Sequence, residues 1–228
     1  MRTVIVIQAR LGSSRLPCKT LLNLHGLPVI DWVVDRCARS ELADALVVAL
    51  PDTRRDMVLA RHLEERGIAV WRGSEQDVLA RMHDAAKAHG AEAVVRVCAD
   101  NPLIWGGEID NLIRFYQRES ASGNCDYAYN HIPKNNLYPD GLGAEITSFE
   151  LFAQMHREAT LPAHREHCMN YIVENPQQFI IRTFDPPNPR LHRPELKLDM
   201  DTADDFINLS LLDIRPDITP EAIVQLFD

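Results

Sequence analysis

Four short apolar runs, Val4–Ile7, Ala45–Leu50, Ile68–Trp71 and Ala93–Val97, alternate with stretches of helical spacing over 28–39, 54–66, 75–89 and 107–120. Short continuous apolar runs read as strands buried on both faces, and Ile30, Val33, Val34 and Cys37 show the three- and four-residue spacing of a helix face. Strand and helix alternating through short connections predict an α/β fold with a mostly parallel central sheet flanked by helices. Chain breakers mark the boundaries: Pro51-Asp52 with Asp52 as a helix cap, Gly67 and Gly90 at helix ends, and Asp100-Asn101-Pro102 after the fourth run. Ligands of such sheets sit beyond the carboxyl ends of the strands. The loop after Ile7 and Asp100 both stand there, and are expected to share a site.

That loop, residues 8–20, reads Gln-Ala-Arg-Leu-Gly-Ser-Ser-Arg-Leu-Pro-Cys-Lys-Thr and carries three cations, Arg10, Arg15 and Lys19. No acid precedes Asp31, although the chain holds 33 Asp and Glu against 24 Lys and Arg and has a formal charge of −9. So acidic a chain lacks the broad basic surface that a long nucleic acid requires, which argues against such a partner. A local basic pocket suits a small anion with several charges, and a nucleoside triphosphate fits that description. Pro17 and Cys18 stand where a Walker A loop needs Gly and Lys, and Gly12 is alone where a dinucleotide fold needs three glycines. Both of those phosphate loops are excluded.

A length of 228 residues and 46% hydrophobic composition are consistent with one domain spanning 1–228. No run is long and apolar enough to span a bilayer, and the N-terminus lacks the order of a signal peptide. Five cysteines without a Cys-x-x-Cys pair point to reduced thiols and a cytoplasmic setting. The second half is less regular: strands near Tyr127–Tyr129, Ala144–Thr147 and Phe179–Phe184, helices over 149–158, 163–174, 202–213 and 219–227, and a proline-rich connection at 186–194. Thr202 and Thr219 are placed as N-caps.

The loop Gln-Ala-Arg-x-Gly-Ser-Ser-Arg-Leu-Pro-x-Lys resembles the signature of cytidylyltransferases related to the CMP-sugar-acid synthetases, above all the spore coat polysaccharide biosynthesis protein F branch. Five further segments follow in that branch's order: Arg72–Arg81, Arg96–Leu103, Tyr138–Glu145, Arg165-Glu166-His167 and Leu198–Thr202. The resemblance covers nearly the whole chain. Three positions depart from it, with Cys18 for a usual Gly, Gly143 for a usual Asp and Lys197 for a usual Arg.

The resemblance implies a nucleotide-diphospho-sugar transferase fold in which roughly 125–190 projects as a lobe for dimerisation and acceptor binding, in a homodimer. It implies transfer of CMP from CTP, with release of pyrophosphate, to a sugar acid or related surface-polysaccharide precursor. Two alternatives stay open: a phosphorylated or phosphonate acceptor such as phosphoglutamine, and a nucleotide-binding homologue without catalysis. Gln8, Ala9, Arg10, Leu11, Gly12, Ser13, Arg15, Lys19, Ser74, Asp77 and Asp100 are the candidate nucleotide residues, with Arg15, Lys19 and Asp100 the catalytic ones. Asp100 and Asp201 are the candidate ligands for Mg²⁺, which takes a few carboxylates beside phosphate oxygens and water. Asp199 is a weaker third candidate. Asp140, Glu145, Arg165 and His167 are expected to face the acceptor.

Plainer readings stand beside these. Asp100 suits a turn before Asn-Pro, Asp199 and Asp201 suit the cap of a helix near Thr202, and Ser74 with Asp77 resembles a capping pattern. His164-x-x-His167-Cys168 has one turn of metal-like spacing but no second ligand pair, so zinc is set aside. The Arg190, His192, Arg193, Lys197 cluster reads equally as a solvated arm or as an acidic-acceptor contact.

Overall fold

The computed structural model describes residues 1–228. Its main sheet has seven strands in the order β5-β4-β1-β6-β8-β7-β9. These are β1 (Thr3–Gln8), β4 (Ala45–Pro51), β5 (Val70–Gly73), β6 (Ala93–Cys98), β7 (Tyr127–Tyr129), β8 (Glu145–Ser148) and β9 (Ile181–Thr183). β5, β4, β1 and β6 run parallel. β8 is antiparallel to both β6 and β7, and β9 is parallel to β7. The stretch 125–190 thus contributes its three strands to the main sheet.

Alternation along the strands feeds two cores. Ile5, Ile7, Val95, Val97 and Ile146 face one side, against α1 (Val29–Cys37), α2 (Met57–Glu65) and α4 (Gly106–Ala121). Val4, Val6, Val47 and Val94 face the other, against α3 (Val78–Ala88) and α5 (Phe149–Glu158). Each such aliphatic side chain, fully buried, contributes roughly 1.5–3 kcal/mol. A third core gathers Leu24, Trp32, Tyr138, Leu198, Met200, Leu209 and Ile223. It ties the C-terminal segment, with α8 (Ala203–Leu211) and α9 (Pro220–Gln225), back onto the beginning of the chain. Buried Arg36 reinforces the tie, donating to the carbonyls of Leu103, Ile104, Pro216 and Ile218 at 2.7–3.1 Å.

Several local expectations change. The helix expected over 163–174 is two, α6 (Pro162–Glu166) and α7 (Asn170–Val173). Between them His167 takes φ −109° and ψ 76°, outside the helical region, and this residue breaks the run. Asp52 caps nothing and pairs with Arg72 at 2.8 Å; Asp56 stands at the start of α2 instead. Ser74 does not begin α3: the cap is Asp77, whose carboxylate accepts from the Ala80 N–H at 2.8 Å. A hairpin of β2 (Asn23–Leu24) and β3 (Leu27–Pro28) escaped the periodicity because each strand has two residues; His25 and Gly26 turn it with φ of 48° and 89°. Thr202 and Thr219 do cap α8 and α9.

Two glycines let chain segments meet behind the site. Gly141 has φ of 86°, and a Cβ there would lie 2.7 Å from the Asp199 nitrogen. Its freedom lets Asp140 pair with the 196–198 segment through hydrogen bonds of 2.9 Å in both directions. At Gly143 a Cβ would lie 2.2 Å from the Asn130 side-chain oxygen. Asn130 is fully buried and cannot swing away, since it holds the Ala144 N–H at 2.9 Å and the Glu108 carbonyl at 3.0 Å. The family's usual Asp at 143 is therefore incompatible with this Asn130. Gly143→Ala is expected to destabilise the fold by about 1–3 kcal/mol, the range for overpacking. Thermal unfolding checks this, at about 2–4 °C per kcal/mol for a chain of this size; an unchanged Tm refutes the clash.

Candidate active site

β1 delivers Gln8 to the carboxyl edge of the sheet, and the loop that follows is folded by its own backbone. Leu11 turns inward, 3% exposed, and its N–H donates to the buried Asp56 carboxylate at 2.8 Å. The Cys18 N–H closes the loop on the Leu11 carbonyl at 3.1 Å. Cys18 sits at φ 57°, the left-handed region, which accounts for the glycine usual at this position. A one-turn 3₁₀ helix, Lys19–Leu21, then turns Lys19 back toward the sheet.

The Lys19 ammonium lies 2.8 Å from Asp100, 3.1 Å from Asp201 and 3.2 Å from the Met200 carbonyl. Asp100 follows β6, and its carbonyl accepts from the Met200 N–H at 2.7 Å, so the two acidic segments are joined directly. Arg15 pairs with Asp201 at 2.8 Å and Arg10 with Glu166 at 3.1 Å. Every cation of the loop thus meets an acid from a distant part of the chain. Around them lies a cleft of about 200 Å³ lined by Gln8, Ala9, Arg10, Ser13, Arg15, Lys19 and Asp100 among others. Thr20 also lines it, and its buried hydroxyl has no protein partner, as expected of a group that meets a ligand or water.

The cleft adjoins a larger cavity of about 640 Å³, because Arg96 and His167 line both. Tyr127, Tyr129 and His131 form an aromatic row along its wall, with ring centres 5.8 and 6.0 Å apart. Glu145 accepts from both Arg96 and the Tyr127 hydroxyl, and His131 lies 3.8 Å away. Burial alone would raise the Glu145 pKa, but Arg96 and these neighbours outweigh it and hold the carboxyl below its usual range. Burial pushes the Cys98 thiol at the cleft up to about 12, so it stays protonated and offers no thiolate nucleophile at neutral pH.

The other candidates lie elsewhere. Gly12 packs against Arg55, where a Cβ would come within 2.4 Å of the guanidinium. Ser74 accepts from the Asp77 N–H at 3.0 Å, and Asp77, besides capping α3, pairs with Arg165. Neither Asp77 nor Arg165 lines the cleft or the larger cavity. Glu145 and His167 line the larger cavity. Asp140 lines neither; burial and then the neighbouring Asp199 push its pKa up to about 6. His164 pairs with Glu174 at 2.8 Å and Cys168 is buried, so no zinc set forms. Arg96, Cys98 and Thr20 are lining residues that sequence reasoning did not single out; Arg96 had a signal in the segment it shares with Asp100.

Asp100 and Asp201 fit a divalent cation. They converge on one positive charge, the Lys19 ammonium, and their oxygens are the hard donors Mg²⁺ prefers. No three His, Cys, Asp or Glu side chains converge to hold a metal alone. Nucleotide sites commonly use one or two carboxylates and complete the shell with phosphate and water.

A family model described as cytidylyltransferase matches residues 4–211, and the chain belongs to that family. It is 32% identical to an uncharacterized protein of Methanocaldococcus jannaschii over 206 residues, 90% of this chain and 81% of that one. It is 28% identical to the spore coat polysaccharide biosynthesis protein SpsF of Bacillus subtilis over 234 residues, 99% of this chain and 93% of that one. A cytidylyltransferase structure from Leptospira borgpetersenii superposes with a TM-score of 0.86 at 27% identity, covering 100% of this chain and 92% of its own. CMP:2-keto-3-deoxy-manno-octonic acid synthetase complexed with CTP shares the fold, with a TM-score of 0.67 at 18% identity and coverage of 92% and 97%. The chain is a cytidylyltransferase, an enzyme that transfers CMP.

The raised Asp140 pKa has a definite sign in stability. Its folded value, about 6, exceeds the unfolded 3.8, so the native state binds the extra proton between those values. This group's contribution is full below the unfolded pKa and is lost as pH rises toward 6. In metal-free protein, Asp140→Asn is expected to gain in Tm relative to wild type as pH rises from 4 to 7. A constant difference across that window contradicts the assignment.

Proposed function

We propose that this cytidylyltransferase transfers CMP from CTP, with Mg²⁺, to a sugar acid or related precursor of a surface polysaccharide. The observation that carries the reading is the pairing of sites: a small basic cleft above the Asp100–Lys19–Asp201 triangle, continuous with a larger cavity walled by aromatic side chains. The first suits a triphosphate and the second suits an acceptor the size of a sugar acid. The names of the SpsF relative and of the octonic acid synthetase support this acceptor class.

In this reading Arg10, Arg15 and Lys19 exchange their carboxylate partners for phosphate oxygens. Gln8, Ala9, Ser13 and Thr20 line the nucleotide, and Glu145 and His167 line the acceptor. Asp100 and Asp201 hold the metal, which neutralises charge across the phosphate oxygens when bound. The acceptor hydroxyl oxygen bonds to the α-phosphorus as the bond to the bridging β-phosphate oxygen breaks, and pyrophosphate leaves with that electron pair. Positioning and fixed charge do most of the work in such transfers. The intact set of cations and acids supports catalysis over mere nucleotide binding.

The enzyme acts as a homodimer in the cytoplasm. Exposed Leu161, Val173 and Ile180, all within 125–190, support a dimer face there. Five free cysteines support a reducing compartment.

Pyrophosphate release from CTP, GTP and UTP with a panel of sugar acids tests the reaction: CTP with Mg²⁺ is expected to be preferred. Asp100→Asn is expected to lower kcat by about a thousandfold, the several kcal/mol that a metal contact supplies, with the native fold retained by circular dichroism. Preference for GTP or UTP, turnover in excess chelator, or normal kcat in that variant refutes the reading.

A further inference from the structure

Transfer between two cavities places the reacting atom where they meet. Two residues line both, Arg96 and His167. His167 sits exposed at the break between α6 and α7, whereas Arg96 is fixed on β6 with its side chain only 12% exposed. One of its terminal nitrogens donates to Glu145, on the acceptor side. Its Nε and the other terminal nitrogen donate to the Gln8 side-chain oxygen at 3.4 and 3.2 Å, on the nucleotide side. A guanidinium has five N–H groups. These bonds use three of them and leave one free on each terminal nitrogen. Glu145 is itself held by the Tyr127 hydroxyl, and Gln8 terminates β1, so the fork is locked at both ends.

The geometry points to Arg96 as a further catalytic residue: it donates to a non-bridging oxygen of the α-phosphate where the two cavities join. This rests on the reading that CTP fills the cleft and the acceptor fills the larger cavity. As the acceptor oxygen bonds to phosphorus and the bond to pyrophosphate breaks, negative charge gathers on the equatorial oxygens. The acceptor's proton is released to water, and Arg96 keeps its own protons throughout. A preorganised donor in a site with little water stabilises that charge without reorganising. Arginine suits the position because its planar fork serves Gln8, Glu145 and a phosphate oxygen together, which a lysine ammonium on a flexible stem does not.

The test uses Arg96→Lys, which keeps a positive charge beside buried Glu145. The ³¹P spectrum of the bound α,β-methylene analogue of CTP is compared in wild type and variant. The α-phosphorus resonance is expected to move while the β and γ resonances stay; an unmoved α resonance overturns the proposal. In turnover, kcat is expected to fall about 100-fold or more, the cost of removing one such donor, with the CTP Kd within about threefold. A loss carried by the acceptor KM with kcat preserved also overturns it.

Should the variant fail to fold, wild type decides with the two diastereomers of CTP carrying sulfur on the α-phosphate. One is expected to be slowed at least tenfold with no rescue by Cd²⁺, marking an oxygen that faces the guanidinium. Rescue of both, or slowing of neither, overturns the assignment. If wild type binds the analogue yet turns over no sugar acid, the acceptor reading fails, and the phosphorus spectra still decide the place of Arg96.

Discussion

The site depends on one half-buried meeting of charges, the Lys19 ammonium between Asp100 and Asp201. Three parts of the chain converge there: the loop after β1, the end of β6 and the segment leading into α8. The lysine side chain is 13% exposed and the two carboxylates 26% and 23%, so the group sits at the border of solvent. Two acids this close repel each other, and a cation between them turns repulsion into a bond among the three segments. The fold supports the meeting from behind. Asp100 and Met200 are joined through the backbone, Gly141 lets the 138–142 stretch lie along 196–199, and the third core seats Leu198 and Met200.

The same logic, in more deeply buried form, recurs in the larger cavity. Arg96 and Glu145 face each other across β6 and β8, in register on neighbouring strands. A buried ion pair often adds little stability, because desolvation of both charges offsets their attraction. Its use is to fix geometry. Here it holds an arginine at the opening between the two cavities and keeps Glu145 ionised, so the wall has a fixed charge pattern. The aromatic row beside it supplies an apolar face without a further charge.

How much was legible in the sequence follows from the range of each interaction. β1, β4, β6 and the caps at Thr202 and Thr219 are local matters of pattern and side-chain chemistry, and the sequence carries them. The loop of Lys19 and the Asp100 turn are readable as neighbours because topology puts both at strand carboxyl ends. The Arg10–Glu166 pair spans 156 positions, and no local signal announces it. Residues 2–19 look purely basic in the sequence, yet the fold surrounds them with acids. Ser74 with Asp77 shows the opposite limit: two roles share one residue pattern, and only the packed structure shows Asp77 capping α3 and pairing with Arg165. The split of α6 from α7 is hidden because the burial at His164, Cys168 and Ile172 keeps helical spacing, while the break is a backbone conformation at His167 that spacing does not show.

The departures from the family pattern have separate physical causes. Gly143 is dictated by Asn130, which fills the space a side chain would need while bonding Ala144 and Glu108. Lys197 pairs with Asp205 at 2.8 Å and lies 3.3 Å from Asp199, so the compact ammonium reaches both carboxylates without a guanidinium fork. Cys18 differs in kind: it occupies a left-handed backbone position that disfavours a side chain, in the basic loop that lines the cleft. Its neighbour Lys19 bonds both carboxylates and the Met200 carbonyl, and those bonds hold the loop in its strained turn. The charge triangle that organises the site therefore also stabilises the one backbone conformation in this loop that its sequence disfavours.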